Sequence, residues 1–265
     1  MTDFRSGSRG RTAGLVLMVI VLLALWEASV RMADIKAFLL PAPSLVLQSI
    51  VQKPLWYLGH AYQTLVETFL GFGFAVVFGV LIAVGIVYSR ILEQSLYTFL
   101  VAMNAVPKIA VAPLFVIWLG TELEPKVAVA ALVAIFPIVI DTVQGLRAVD
   151  PAMLDLGRSL RGSRLKILWK IRAPYALPSV FAGLKVGISL AFIGAIVGEF
   201  ISSQAGLGYV VVTSQANFDT TQMFAAILIL ALLSLLLFNL IELAEHLLLP
   251  WHGSRRREAR QAQGR

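Results

Sequence analysis

Six apolar runs, each close to the roughly 20 residues that cross a lipid bilayer as a helix, leave this chain little else to fold into. They fall at about Ala13–Val30, Thr68–Tyr88, Ser95–Leu119, Val127–Gln144, Leu177–Phe200 and Met223–His246. In hydrocarbon the backbone must satisfy its own N–H and C=O groups, so such runs fold as helices. The sequence therefore predicts an all-α membrane protein of about six transmembrane helices, with a cytoplasmic amphipathic loop between spans four and five. Charge density agrees: 14% of residues are charged, against about 25% in a soluble domain. Pro107 and Pro113 interrupt the third run and Pro137 the fourth. Each reads either as a simple kink or as a bend lining a pathway.

Basic residues set the expected orientation. Arg5, Arg9 and Arg11 precede the first run, Arg90 follows the second, and Arg255, Arg256, Arg257, Arg260 and Arg265 close the chain. The opposite side carries only Arg31, Lys36, Lys53 and Lys126. That bias predicts both termini in the cytoplasm. Residues 1–12 are then a basic tail, 13–250 one transmembrane domain, and 251–265 a second basic tail able to meet anionic headgroups. The first run has the basic start and apolar centre of a secretory signal. The segment that follows, ASVRMADIKAFLLPAP, lacks a small-x-small cleavage site, so the run is expected to be retained. Residues 37–59 are expected outside, with a short surface helix near Leu45, Val46, Ile50 and Val51.

The most informative loop runs from about 147 to 175. Seven cations lie in it: Arg147, Arg158, Arg161, Arg164, Lys166, Lys170 and Arg172. Leu154, Leu156, Leu160, Leu165, Leu168 and Ile171 recur there at helical spacing. The pattern predicts a short helix over about 152–161, broken at Gly162-Ser163, with Asp155 capping its start. Leu154, Leu156 and Leu160 would serve as apolar anchors, and Arg158, Arg161 and Arg164 as complementary charge. A cytoplasmic helix with an apolar face calls for a partner protein. The competing reading, that these arginines only fix topology, leaves the apolar periodicity without a purpose.

Enzyme motifs are missing. The sequence has no G-x-x-x-x-G-K-[ST] loop for phosphates, no H-E-x-x-H and no G-x-S-x-G. Its histidines, His60, His246 and His252, are scattered, and it has no cysteine. No catalytic residue, metal site or cofactor is expected. The +7 net charge sits in the tails and one loop, which argues for topology and against nucleic acid.

A few polar residues fall within or beside the apolar runs. Lys108, with Asn104 and Pro107 in NAVPKIAVAP, is a candidate pathway residue for an anionic or carbonyl-bearing solute. It could equally snorkel to the interface. Glu199 could gate the outer end or sit at the interface, and Glu67 and Asp141 read as interfacial. Lys185 also lies within an apolar run. Gly71, Gly79 and Gly85, with Ala75 and Ala83, read as a helix-packing seam.

The loop also resembles the signature loop of membrane permeases of ABC importers. That signature is an acidic residue, two alanines, a glycine six positions after the acid, then I-x-L-P. Asp155 stands where the family has Glu, Leu156 and Gly157 stand at the two alanines, and Arg161 stands at the glycine with Gly162 one later. Ile171, Ala173 and Pro174 match the close except for Ala in place of Leu, and Leu177-Pro178 follows. Pro41-Ala42-Pro43-Ser44, Val106-Pro107-Lys108 with Trp118-Leu119-Gly120, Phe136-Pro137-Ile138-Val139, and Gly198-Glu199-Phe200 with Gly206-Leu207-Gly208 resemble further motifs in order. The likeness runs from about Pro41 to His252. It falls in the nitrate, sulfonate and taurine branch, and in texture it is nearest to permeases for hydroxymethylpyrimidine, a thiamine precursor, or riboflavin.

The resemblance implies a multi-pass subunit of the bacterial inner membrane that forms a solute pathway by alternating access. It implies a second permease copy, expected to be identical, a separate ATPase subunit that holds the ATP and binds the 152–174 loop, and an extracytoplasmic solute-binding protein. The ATPase-docking set would be Leu154, Asp155, Leu156, Gly157, Arg158, Leu160, Arg161, Gly162, Ile171 and Pro174. Two other classes compete. A secondary transporter would carry its own coupling-ion site and internal repeats, and no repeat is visible. A membrane enzyme would need a nucleophile beside a base.

Overall fold

The computed structural model describes residues 6–103 and 107–250. Among these the chain is helical throughout, without strands. Helix α1 spans Ser6–Met32, α2 Pro43–Gln52, α3 Pro54–Tyr88, α7 Glu124–Arg147, α10 Ala173–Ile201, α11 Leu207–Ala216 and α12 Thr220–Leu248. Shorter pieces complete the order: α4 Arg90–Leu92, α5 Thr98–Met103, α6 Ala112–Leu119, α8 Pro151–Ser159 and α9 Arg164–Ile167. Four helices among the described residues are long and apolar enough to cross a membrane: Pro54–Tyr88, Glu124–Arg147, Arg164–Ile201 and Thr220–Leu248. Lys108–Leu119 is a shorter apolar helix.

Sequence and structure diverge in four places. The expected third span is not one helix. Arg90–Leu92 passes through a π-turn at Glu93–Tyr97 into α5, and a 3₁₀ turn at Lys108–Val111 leads into α6. Pro107, without an N–H to donate, precedes that turn. The fourth span, by contrast, is unbroken, because α7 runs straight through Pro137. The expected outer loop is also shorter than 37–59: α3 begins at Pro54, where proline's fixed φ suits the first helical turn. Residues 43–52 do form the expected short helix, and Val46 of α2 is buried in a cluster with Tyr57, Ile188 and Leu230. Finally, the basic stretch 164–172, expected to be helical within the loop, belongs to the next membrane-crossing rod. It runs through α9 and a π-turn at Leu168–Arg172 into α10, one helical rod of 38 residues.

The core lies where α7 packs against α3 and α10. Small residues let these helices approach closely. A Cβ on Gly194 would fall 2.7 Å from Ala130 Cα, and one on Gly145 would fall 2.9 Å from the Ala176 carbonyl oxygen. Gly71 and Gly79 of α3 face Ala130 and Ile138 in the same way, so the seam expected in span two is there. Gly85 instead faces Leu92 of the following turn. In contrast, α1 is peripheral, and its apolar residues Leu17–Leu23 are exposed.

Candidate functional site

One end of the bundle carries the loop that the sequence singled out. Asp150 begins α8: its carboxylate accepts the Ala152 N–H at 2.8 Å, and Pro151 occupies the first helical position. Asp155 was expected to be the cap; it lies a turn further in and pairs with Arg158 at 3.0 Å, both side chains exposed. The helix ends in a Schellman turn, in which Gly162 N–H donates to Gly157 O at 3.0 Å and Arg161 N–H to Arg158 O at 2.9 Å. Such a turn needs a left-handed residue, and Arg161 supplies it at φ 55°. Gly162 is forced by contact, since a Cβ there would fall 2.6 Å from Gly157 O. Ser163 then caps α9 by accepting the Lys166 N–H at 3.3 Å.

The structure accounts for the loop's departures from the family signature at Leu156 and Gly157, and nothing in it explains Arg161 in place of glycine. Gly157 is buried, and a Cβ there would fall 2.8 Å from Ile171 Cδ1, so this position must stay small. Leu156 is 60% exposed and tolerates any size. The family's glycine falls on Arg161, the left-handed position that glycine adopts most cheaply. Ile171 thus braces α8 from beneath, and Pro174 lies in the first turn of α10. The exposed apolar residues of α8 and its turn are Met153 at 48%, Leu156 at 60% and Leu160 at 75%. Leu154, grouped with them from the sequence, lies round the helix from that stripe and is only half-exposed.

The opposite end holds a buried polar cluster that the sequence reading missed in part. Glu67, expected at the interface, is fully buried, and so are Lys126 and Glu199. Lys126, counted among the exterior charges, places its Nζ 3.4 Å from Glu67 Oε1, and Gln63 Nε2 donates to the same oxygen at 2.9 Å. The Glu67 carboxyl also adjoins that of Glu199. Glu199 Oε2 accepts the Gly208 N–H, Thr64 Oγ1 accepts the Leu207 N–H at 2.9 Å, and His60 Nδ1 accepts the Gly206 N–H at 3.0 Å. Three side chains therefore satisfy the first amides of α11, a helix that has no cap of its own. Gly206 itself needs φ 105°. A cavity of about 540 Å³ opens beside the cluster, lined by Gln63, Lys126, Glu199 and Tyr209 among others. The missed signal was periodic: His60, Gln63, Thr64 and Glu67 recur at helical spacing as a polar stripe on an apolar helix.

The remaining polar candidates are dispersed. Lys108 is half-buried, its Nζ 4.5 Å from the Phe136 ring centroid. Pro107 beside it is exposed, and Asn104 lies outside the described residues. Lys185 is paired with Glu245, which ties α10 to α12. Asp141 is half-buried against Gly183. Neither Lys108 nor Glu199 adjoins α8, whose packing partners are α9 and the Leu168–Arg172 turn.

The fold is thus that of a multi-helix membrane protein with an exposed amphipathic helix at one end and a buried polar cluster at the other. Residues 75–249 match the family described as binding-protein-dependent transport system inner membrane component, and the chain belongs to that family. It is similar to the riboflavin transport system permease protein RibX of Chloroflexus aurantiacus, 37% identical over 91% of each chain. It is also similar to the formylaminopyrimidine transport permease protein ThiX of Halalkalibacterium halodurans, 34% identical over 89% of this chain and 94% of that one. The fold is shared with the membrane subunit in an inward-facing structure of the MetNI methionine ABC transporter. There the TM-score is 0.63 at 18% identity, covering 72% of this chain and 95% of that one. This chain is thus a multi-pass inner-membrane permease subunit of an ABC importer, a transporter component and not itself an enzyme.

Proposed function

We propose that α8 is the seat of a separate ATPase subunit and that the chain imports a small polar organic solute by alternating access. The observation that carries this is the exposed stripe of Met153, Leu156 and Leu160 on a helix pinned at both ends, by the Asp150 cap and the Schellman turn. An exposed apolar stripe beyond the membrane-crossing rods has no lipid to cover it and gains by burial in a partner's groove. Arg161, in the turn that follows Leu160, supplies register. In this reading α8 and both termini face the cytoplasm, two identical chains enclose the pathway, and an external binding protein delivers the solute. Lys108, Pro107, Asn104 and Glu199 are the pathway candidates. The solute class, a pyrimidine thiamine precursor, riboflavin or a sulfonate, draws support from the relatives named for riboflavin, formylaminopyrimidine and, at 29% identity, aliphatic sulfonates. The test is co-purification from native membranes in mild detergent. Wild type should bring down a stoichiometric ATPase, and Asp155→Lys with Leu156→Asp should lose it while still inserting. Full ATPase recovery with that pair would overturn the docking assignment.

A further inference from the structure

A cavity of about 630 Å³ lies between the end of α3 and the inner side of α8 and α9. Four arginines line it: Arg90, Arg158, Arg164 and Arg172. No carboxylate does, among the described residues. Arg158 meets the exposed Asp155, and Arg172 is oriented by Leu146 O at 3.1 Å and by the Tyr88 ring. Val87, Leu154 and Ile167 provide an apolar floor. Four guanidinium groups thus gather around one opening, one of them already paired with Asp155, and guanidinium geometry suits a phosphate.

Two further observations narrow the source of that anion. Leu154 and Arg158, four residues apart, share one face of α8, whereas Leu156 and Leu160 share the opposite one. A partner seated on the Leu156 and Leu160 stripe would therefore leave this cavity free. The cavity also opens at Val87 and Tyr88, where the apolar span α3 ends, which is the depth of lipid headgroups. We infer that the Arg90–Arg158–Arg164–Arg172 cavity binds the phosphate headgroup of an anionic phospholipid. Its glycerol and upper acyl carbons would rest on the apolar floor, and the lipid would couple the end of α3 to the inner face of α8.

Native mass spectrometry of the detergent-purified transporter, titrated with phosphatidylglycerol or phosphatidylcholine, tests this. Wild type should retain one more phosphatidylglycerol per chain than the Arg90→Gln/Arg164→Gln variant, with no difference for phosphatidylcholine. Leu154→Glu, which places a carboxylate within the ring and keeps every arginine, should expel the same lipid even if the arginine variant folds poorly. Equal phosphatidylglycerol retention in wild type and Leu154→Glu would overturn the proposal. So would displacement of the bound species by inorganic phosphate, which would make the site one for a free anion. Loss of ATPase co-purification in the arginine variant with lipid retention unchanged would overturn it too, in favour of a protein contact.

Discussion

Gly162→Ala is the sharpest test of the turn that closes α8. The new methyl carbon would fall 2.6 Å from Gly157 O, a backbone atom that cannot rotate aside as a side chain can. The turn must open, and its two hydrogen bonds, Gly162 N–H to Gly157 O at 3.0 Å and Arg161 N–H to Arg158 O at 2.9 Å, open with it. At about 0.5–1.5 kcal/mol each, their loss costs about 1–3 kcal/mol of local stability. The turn lies at the exposed edge of the molecule and opens independently of the bundle, so the loss appears in its own amides. Hydrogen exchange at residues 161 and 162 should quicken roughly five- to 150-fold, tenfold for each 1.4 kcal/mol. Amides of α10 should be unaffected. Unchanged exchange at 161 and 162 would show that the closing bonds are not those described here, and α8 would then lack the rigidity that docking requires.

Lys126→Met should lower thermal stability in detergent, because it leaves Glu67 buried opposite no cation. Breaking one partner of a buried pair costs about 3–5 kcal/mol, and adding Glu67→Leu should recover most of the loss; a double variant no better than the single would refute the pairing. Thr64→Val should cost about 1–3 kcal/mol, since it leaves the buried Leu207 N–H without an acceptor, and faster exchange at Leu207 alone is the expected signature. Arg161→Gly should slow exchange across the Schellman turn, because a left-handed residue with a Cβ costs about 1–2 kcal/mol. If the guanidinium docks, ATPase recovery should fall at the same time. Full recovery would remove Arg161 from the docking set.

Much of this was legible in the sequence because the membrane constrains it. An apolar run of bilayer length has one backbone solution, and α3, α7, α10 and α12 contain the runs expected for them. Helix α8 was legible to within a residue or two at each end, its close through Gly162-Ser163. Its cap was misread: Asp155 has the right chemistry, but the residue directly before a helix-opening proline is Asp150. The buried cluster was harder. Glu67 and Lys126 lie 59 positions apart on different helices, and charge counting treats every lysine near a span end as solvated. The interrupted third span was legible only in part: Pro107 and Pro113 mark the break, but hydropathy does not distinguish one apolar helix from several short ones.

The two ends of the molecule are joined by one element. From Arg164 to Ile201 the chain is a continuous helical rod of 38 residues, about 57 Å at 1.5 Å per residue. Its first turns pack beneath α8 through Ile167 and Ile171, and Glu199, close to its last turn, accepts the Gly208 N–H of α11. Along its length Gly145 of α7 faces Ala176, and Gly194 and Gly198 of α10 face the α7 backbone at Ala130 and Lys126, too closely for the two helices to slide independently. A tilt imposed on α8 would therefore not dissipate in side-chain rearrangement. It would carry α7 and α10 as a pair and reach the Glu199–Gly208 contact beside the far cavity. Long-range coupling of this kind needs only packed elements that move together. The same seam makes Gly194 sensitive to size: Gly194→Leu should lower thermal stability in detergent, because a Cβ there already falls 2.7 Å from Ala130 Cα, and an unchanged melting temperature would refute the close packing.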